Sequence, residues 1–387
     1  MIRMAVVATI VLVGFAGGLP AADAPKASAK APRGPDKGQR VTNPEVWMCY
    51  RDPSGLFEEG ADAEFVRRHV SGIKLYIGTV SKAPPDKLAK LVKDLKAHNI
   101  PLAVECGGTL GFAKLDDTNG VHSATIEQKA FNRIVAAGGK IDYLDLDGPV
   151  RRLLYPERGQ GFESVDRCAA ALMDCLRTHS KAYPGMKFWL LTNFPNWGYR
   201  GDVSYHARGP NKQDWGDYDT VVRTVLDHAD KAKIPLAGVT VDNPYEYAMG
   251  EYRSARLPDP KKVDWIKRIR AYEDFARSKG LEFNFIANSE AGGKKSGKDF
   301  HERTLKMIDA YVAAGGKPTR YIIQSWYPNP TELVPETDEQ TMTAVVKAAI
   351  LKLHPELKAK AATKADGTQG TPLVRALIPR PRGPGAK

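Results

Sequence analysis

Short apolar runs alternate with longer amphipathic runs along residues 43–357. The short runs are rich in β-branched and aromatic residues, which is typical of buried strands. The longer runs carry an apolar residue every three or four positions, which is typical of helices that pack on one face. The predicted strands are 46–50, 73–77, 102–106, 141–147, 187–193, 237–242, 282–288 and 320–326. The predicted helices lie near 60–70, 85–98, 124–137, 163–182, 215–232, 260–279, 299–314 and 338–353.

The order of these elements predicts the fold class. Strictly alternating strands and helices form a parallel sheet. Eight such units, with no break in composition between them, indicate one closed (β/α)8 TIM barrel over residues 43–357. The alternative is an open doubly wound sheet, but no G-x-G-x-x-G or Walker sequence follows any predicted strand. We therefore predict an α/β protein built on a single barrel.

The two ends of the chain differ in composition from this body. Residues 1–24 join a basic start, an apolar run and the Ala22-Asp23-Ala24 pattern, which predicts a secretory signal, export, and no stable membrane association after cleavage. Residues 25–42 are rich in Pro, Lys and Ala and predict a linker, and residues 358–387 predict a disordered basic tail. These two segments carry +10 of the net charge of +12, so the body is nearly neutral and a nucleic-acid partner is not expected.

Polar side chains gather where the predicted strands end. Active sites of (β/α)8 barrels lie at the carboxyl ends of the strands, which together form the mouth of the barrel. Acidic, amide and aromatic residues end or follow seven of the eight strands here, whereas the opposite ends carry Gly, Pro and Lys turns. The candidates are Tyr50, Glu105, Asp145, Asp147, Asn193, Trp197, Asp242, Glu246, Asn288, Glu290, Gln324 and Trp326.

Strand alternation predicts where two of these side chains point. Asp145 and Asp147 share one face of their strand, and Leu144 and Leu146 share the other. The leucines are expected to face the helices, so both aspartates should point into the barrel. Two ionised carboxylates this close repel each other, which can raise the pKa of one and keep it protonated for acid catalysis.

Several other kinds of chemistry find little support in the sequence. No histidine ends a predicted strand, so a zinc hydrolase site is not predicted. His179 and five other histidines fall in or beside helices, where surface or capping roles are expected, and only His122 and His206 are predicted in loops at the mouth. Cys168 and Cys175 lie too far apart on one helix to form a disulfide, and no C-x-x-C motif predicts a structural zinc site. No G-x-S-x-G serine motif is present either. We predict neither a metal nor a cofactor, although Asp145, Asp147 and Asp242 leave a divalent ion bound by carboxylates open.

Carboxylates combined with aromatic rings favour a sugar ligand. A ring can cover the apolar face of a sugar while amides and carboxylates bind its hydroxyl groups. Glycoside hydrolysis requires two carboxyl groups beside the scissile bond, one as acid and one as nucleophile or base. Aromatic rings can also be plain packing, which is the role expected of Trp47 and Trp189 inside their strands.

One short segment resembles a known family. Residues 141–148 (IDYLDLDG) are similar to the fourth strand of the barrel glycoside hydrolases related to α-galactosidases, with Asp145 in the place of that family's lysine. The resemblance implies that Asp147 is the nucleophile and that Asp242, after the sixth strand, is the acid/base. Nearly the whole body is also similar to secreted (β/α)8 carbohydrate-active enzymes.

The sequence therefore predicts an exported glycoside hydrolase that cleaves a poly- or oligosaccharide. Glu246 and Glu290 are substitutes for the acid, Glu105 and Asp145 are expected to tune the pKa of their neighbours or bind sugar, and the remaining candidates are expected to bind substrate. One alternative is a lyase acting on uronate sugars, with Arg51 and Arg200 as cations and Tyr199 or His206 as base. Another is a carbohydrate-binding barrel without activity. The oligomeric state stays open.

Overall fold

The computed structural model describes residues 40–107, 115–156, 160–201, 215–253, 257 and 259–358. The predicted secretory signal lies outside the described residues, as do the linker up to residue 39, the tail beyond residue 358, and His206. No helix among the described residues is long and apolar enough to span a membrane.

Eight parallel strands close into one barrel, which confirms the predicted fold class. They pair in chain order, and the first strand pairs with both the second and the eighth. Each predicted strand is present, with ends that differ from the prediction by at most two residues. The strands are β1 (Glu45–Cys49), β2 (Gly72–Tyr76), β3 (Leu102–Cys106), β4 (Tyr143–Asp147), β5 (Lys187–Asn193), β6 (Gly238–Asp242), β7 (Glu282–Ala287) and β8 (Arg320–Gln324).

Helices surround this barrel and also extend its mouth. The eight predicted helices are α1 (Glu64–His69), α3 (Pro85–Ala97), α4 (Asn119–Ala136), α6 (Val165–Ala182), α7 (Tyr218–Ala232), α9 (Trp265–Ser278), α11 (Gly297–Ala313) and α12 (Met342–Leu353). Four short helices that were not predicted follow β2, β4, β6 and β7 at the mouth: α2 (Ile77–Lys82), α5 (Pro149–Leu154), α8 (Tyr245–Ala248) and α10 (Glu290–Lys295).

Helix α4 begins earlier than its apolar pattern predicted. The Asp116 carboxylate accepts hydrogen bonds from the backbone and hydroxyl of Thr118, and this turn starts the helix at Asn119. His122 therefore lies in the first turn of α4, and its predicted loop position was wrong.

Side chains alternate between the two faces of the barrel wall as predicted. Leu144 and Leu146 pack in the outer core, between the strands and the helices. Trp47 and Trp189 belong to a separate buried group inside the barrel, which confirms their expected packing role. Inward residues thus form a core of their own, and the polar ones among them line the mouth.

The amino-terminal ends of the strands are closed by one buried arginine. Arg320 is ion-paired with Glu45 (Nε to Oε2, 2.7 Å) and with Glu282 (Nη1 to Oε2, 2.7 Å). Its guanidinium also lies against three aromatic rings, the nearest being Trp189 at 4.8 Å from the ring centre. The indole N–H groups of Trp47 and Trp189 donate to the same two carboxylates. We call Arg320, Glu45, Glu282, Trp47 and Trp189 the basal plug.

We expect Arg320→Met to lower the free energy of unfolding by about 3 kcal/mol, because it leaves two carboxylates without their cation. Urea unfolding followed by circular dichroism measures this loss. Arg177→Met is the matched control, since it removes an exposed ion pair with Asp174 on α6 and should cost less than about 1 kcal/mol. Equal losses in the two variants would contradict a structural role for the basal plug.

Candidate active site at the barrel mouth

A buried lysine lies among the inward carboxylates of the mouth. Lys74 on β2 has no exposed surface, and its Nζ lies 2.6 Å from Glu105 Oε2 and 2.8 Å from Asp145 Oδ2. Burial lowers the pKa of Lys74, but Asp145 and Glu105 together raise it above its usual value. The ammonium therefore stays charged and fixes both carboxylates, with Gln324 Nε2 donating to Glu105 at 3.0 Å.

Sequence reasoning missed Lys74, although a signal for it exists. Ile73 and Leu75, on either side of it in β2, face the outer core. Alternation therefore turns Lys74 inward, on the same side as Asp145. A lysine that points inward from an otherwise apolar strand predicts a buried acidic partner, because lysine is rarely buried without one.

Asp242 occupies a different environment at the end of β6. Asp242 is only 7% exposed, and its Oδ1 accepts a hydrogen bond of 3.1 Å from Asn288 Nδ2. Burial raises the pKa of Asp242 to about 7 against the lowering effect of Asn288, and the negative charges of Glu105 and Asp147 add to the rise. A carboxyl group with this pKa can donate a proton near neutral pH.

Asp147, at the end of β4, is more accessible and carries a cation of its own. Its side chain is 32% exposed, and Arg152 Nη2 on α5 lies 2.6 Å from Asp147 Oδ2. Two glycines make this geometry possible. A Cβ on Gly107 would lie 2.5 Å from the Asp147 carbonyl oxygen, and Gly148 has the positive φ that turns the chain from β4 into α5.

These five side chains form one electrostatic unit, which we call the mouth cluster: Lys74, Glu105, Asp145, Asp147 and Asp242. Register supports their grouping, because Glu105 pairs with Asp145 across β3 and β4. Lys74 and Arg152 balance two of the four carboxylates. Burial, together with the negative charges of Glu105 and Asp147, raises the pKa of Asp242 to about 7, and burial also raises the pKa values of Glu105 and Asp145 against the opposing effect of Lys74.

Glu246 and Glu290, the substitute acids, lie in the short helices α8 and α10, which follow β6 and β7. The buried Glu246 carboxylate accepts hydrogen bonds from the Ser289 hydroxyl and from the Glu290 backbone N–H, and it faces Arg303 at 3.4 Å. Glu290 accepts a hydrogen bond from Tyr247 and is ion-paired with Lys294. Both glutamates therefore tie neighbouring loops together, and their catalytic role stays a prediction.

The predicted aromatic and amide residues divide into exposed and buried groups. Trp326, just after β8, is 59% exposed and offers a free ring face at the rim. Trp197 is 2% exposed, and its ring packs against Trp215 and Tyr218. The buried Tyr50 donates its hydroxyl to the backbone carbonyls of the loop after β8. In this conformation only Trp326 of the three presents a ring to a ligand.

The amides of the mouth are oriented by their neighbours. Asn193 accepts a hydrogen bond of 2.6 Å from Asn196, and its register partner on β6 is Asp242. Asn288 Oδ1 and Gln324 Oε1 are buried and have no hydrogen-bond partner among the described residues. Acceptors of this kind are suited to the hydroxyl groups of a ligand.

Two cavities differ in size and in chemistry. A cavity of about 120 Å³ lies at the mouth and is lined by Asp147, Arg152, Asn193 and their neighbours. A larger cavity of about 450 Å³ lies at the opposite end of the barrel, beside Asn99, Pro101 and Gly139. The smaller cavity lies at the end of the barrel where enzymes of this fold place their chemistry, and the larger one lies at the end associated with stability.

The mouth carboxylates do not form a cation site in this conformation. Asp145 and Asp147 already face Lys74 and Arg152, and no three ligand atoms of the mouth cluster lie close enough together to share an ion. Among the described residues, three ligand atoms that lie close enough to share an ion are found on the outer side of the barrel wall, on Glu127, Cys175 and His179.

Comparisons with known proteins do not place the chain in a family. No family model and no curated protein sequence matches the chain. Among solved structures, the Ignisphaera aggregans GH53 catalytic domain is 8% identical with a TM-score of 0.43, over 78% of this chain and 92% of that one. The xylanase TsXylA from Thermoanaerobacterium saccharolyticum is 14% identical with a TM-score of 0.42, over 73% and 86%. A phosphoenolpyruvate phosphomutase from Streptomyces platensis is 12% identical with a TM-score of 0.36, over 86% and 88%. Likeness at this level extends to barrels with different activities and does not select one of them.

We expect Asp242→Asn to become more stable relative to the wild type as pH rises from 4 to 8. Asp242 is protonated in the folded protein up to about pH 7 but ionises near its ordinary value of 3.8 when unfolded, so the wild type loses stability across this window. Across this window, the free energy of unfolding of the variant should rise relative to that of the wild type by roughly 4 kcal/mol. Urea unfolding of both proteins at each pH measures it, and a difference that stays constant with pH would contradict the buried, protonated carboxyl.

Proposed function

We propose that this protein is an exported glycoside hydrolase that cleaves a poly- or oligosaccharide at the barrel mouth. The observation that carries the proposal is the contrast between two carboxyl groups. Asp242 is buried with a pKa of about 7, whereas Asp147 is accessible and ion-paired with Arg152. A carboxyl group that keeps its proton near neutral pH and an accessible carboxylate, on the two strands that flank β5, are the pair that glycosidic bond cleavage requires.

Each residue has a defined role in this proposal. Asp242 protonates the leaving oxygen of the glycosidic bond, and Asp147 acts as nucleophile or as the base that activates water. Lys74 holds Glu105 and Asp145 in place, and the negative charges of Glu105 and Asp147 add to the effect of burial in keeping Asp242 protonated. Export is proposed from the signal-like composition of residues 1–24.

Sugar binding is assigned to the amides and to the rim. Asn288 and Gln324 offer buried acceptors to sugar hydroxyls, and the exposed Trp326 ring covers an apolar sugar face. A polyhydroxylated ligand needs both kinds of contact, which favours a carbohydrate over a small apolar substrate.

The lyase alternative has weaker support. Burial raises the pKa of Tyr199 to about 12, which makes this residue a poor base near neutral pH. Arg200 is ion-paired with Asp219, and Arg51 donates to backbone carbonyls of the loop after β8. Neither arginine is therefore held ready for a substrate carboxylate. A binding barrel without activity remains the second alternative.

Replacing either carboxylate should abolish most of the activity. We expect Asp147→Asn and Asp242→Asn each to lower kcat by about 10²–10⁴-fold, because each removes a proton-transfer or nucleophilic group. The assay measures reducing ends released from a polysaccharide panel by the full-length chain. Asp174→Asn, an exposed carboxylate on α6, is the matched control and should retain full activity.

The same assay separates the three functions. A lyase forms a double bond as it eliminates the leaving sugar, so absorbance of the unsaturated product at about 235 nm would identify this function. Sugar binding without product, unchanged in both variants, would identify a binding barrel. Reducing ends released equally by wild type and both variants would contradict the assigned roles.

Activity should fall at alkaline pH because the acid must carry its proton. With a pKa of about 7 for Asp242, we expect kcat/KM to decrease above neutral pH, by about tenfold per pH unit well beyond the pKa. The residual activity of Asp242→Asn should lack this decrease. A pH profile of kcat/KM for both proteins tests the assignment, and an unchanged alkaline limb in the variant would exclude Asp242 as the acid.

We expect Trp326→Ala to raise KM about fivefold with kcat nearly unchanged, because an exposed ring contributes about 1 kcal/mol of binding in ground and transition state alike. Trp326→Phe keeps an aromatic face and should show a smaller rise. Steady-state kinetics on the best substrate of the panel measures both. A loss in kcat at constant KM would show that the ring acts on the chemical step instead.

A further inference from the structure

A second cluster of reactive side chains lies on the outer side of the barrel wall, between β3 and the helices α4 and α6. Glu127 comes from α4, and Cys175 and His179 lie one turn apart on α6. All three residues are at most 1% exposed, and one ligand atom from each lies within 4.8 Å of the others. His179 was expected to have a surface or capping role, and its complete burial shows that this expectation was wrong.

Close helix packing brings the cluster together. A Cβ on Gly120 of α4 would lie 2.0 Å from the Ala171 carbonyl oxygen of α6, so the two helices touch backbone to backbone. Residues four apart on a helix share one face, which turns Cys175 and His179 toward α4 together. Glu127 Oε2 then lies 3.0 Å from His179 Nε2.

Cys106, the last residue of β3, belongs to the same group. It faces the outer core beside Glu127 and Cys175, although the three ligand atoms that lie within 4.8 Å of one another are those of Glu127, Cys175 and His179. We call Glu127, Cys175, His179 and Cys106 the outer cluster.

Hydrogen bonds within the protein do not satisfy this cluster. Glu127 Oε1 and His179 Nδ1 are buried and have no partner among the described residues. A buried carboxylate beside two sulfur atoms is costly unless a cation or enough donors compensate it. A cation at the centre of the arrangement would satisfy both Glu127 Oε1 and His179 Nδ1.

We propose that Glu127, Cys175 and His179 bind a divalent transition-metal ion of the zinc type, with Cys106 as the fourth ligand. Thiolate, imidazole and carboxylate are the ligands that zinc prefers, and four of them form its usual tetrahedral structural site. In such a site the ligand atoms lie about 3.5 Å apart, so small rotamer changes suffice for Glu127, Cys175 and His179, whose ligand atoms already lie within 4.8 Å of one another, and the Cys106 side chain has to turn toward them.

The metal would act as a structural clamp rather than in the reaction. It would join α4, α6 and the end of β3, directly behind Glu105 of the mouth cluster. The inference does not depend on the proposed function, because the outer cluster and the mouth lie on opposite faces of the barrel wall.

Metal analysis of the full-length chain tests the proposal. Protein purified under reducing conditions without chelator should contain about one zinc ion per chain. After chelation and addition of Co²⁺, the wild type should show thiolate-to-cobalt charge-transfer absorption and the visible bands of tetrahedral cobalt. Chelation should also lower Tm by about 5 °C or more. A wild type that binds neither ion would overturn the proposal, and this measurement needs no variant to fold.

Variants locate the site. Cys175→Ser and His179→Gln should lose the metal and the effect of chelation on Tm. Cys168→Ser is the matched control, because Cys168 is also buried on α6 but does not belong to the outer cluster. This variant should bind metal like the wild type.

The fourth ligand is tested separately. Cys106→Ser should reduce the charge-transfer intensity to about half. Full binding by Cys175→Ser would overturn the site, and unchanged intensity in Cys106→Ser would overturn the fourth ligand.

Discussion

The mouth of this barrel depends on one buried positive charge. Lys74 lies within 3 Å of a carboxylate oxygen of both Glu105 and Asp145, and it has no access to water. Without it, two carboxylates would have to be protonated or exposed, because an uncompensated charge in the interior is very costly. Lys74 is ion-paired with these two neighbours and lowers the pKa of Asp242 only in part, so that burial still raises it to about 7.

A second set of contacts holds the surrounding loops. The Glu246 carboxylate joins the segment after β6 to the segment after β7, where it accepts from Ser289 and from the Glu290 backbone. Tyr50 and Arg51 donate to the loop after β8 in the same way. Some of the charged and polar residues around the rim therefore hold neighbouring loops together. A polar residue at a strand end is for this reason not necessarily a residue that contacts substrate.

Sequence patterns predicted the barrel and the inward direction of Asp145 and Asp147, because strand alternation depends on local geometry alone. The same patterns could not separate Trp197 from Trp326, since whether a loop aromatic is covered depends on distant residues such as Trp215 and Tyr218. The contact between His179 and Glu127 likewise joins two helices separated by a strand. Lys74 was predictable, because alternation within β2 places it inside.

Within the described residues, the basal plug closes the amino-terminal end of the barrel and leaves its mouth as the open end. Arg320 and the indoles of Trp47 and Trp189 fill its floor, so a molecule that enters between the strand ends must leave by the same route. A polymer cannot thread through the axis. A polymeric ligand would have to lie across the rim, where the indole of Trp326 is exposed, or insert one terminus.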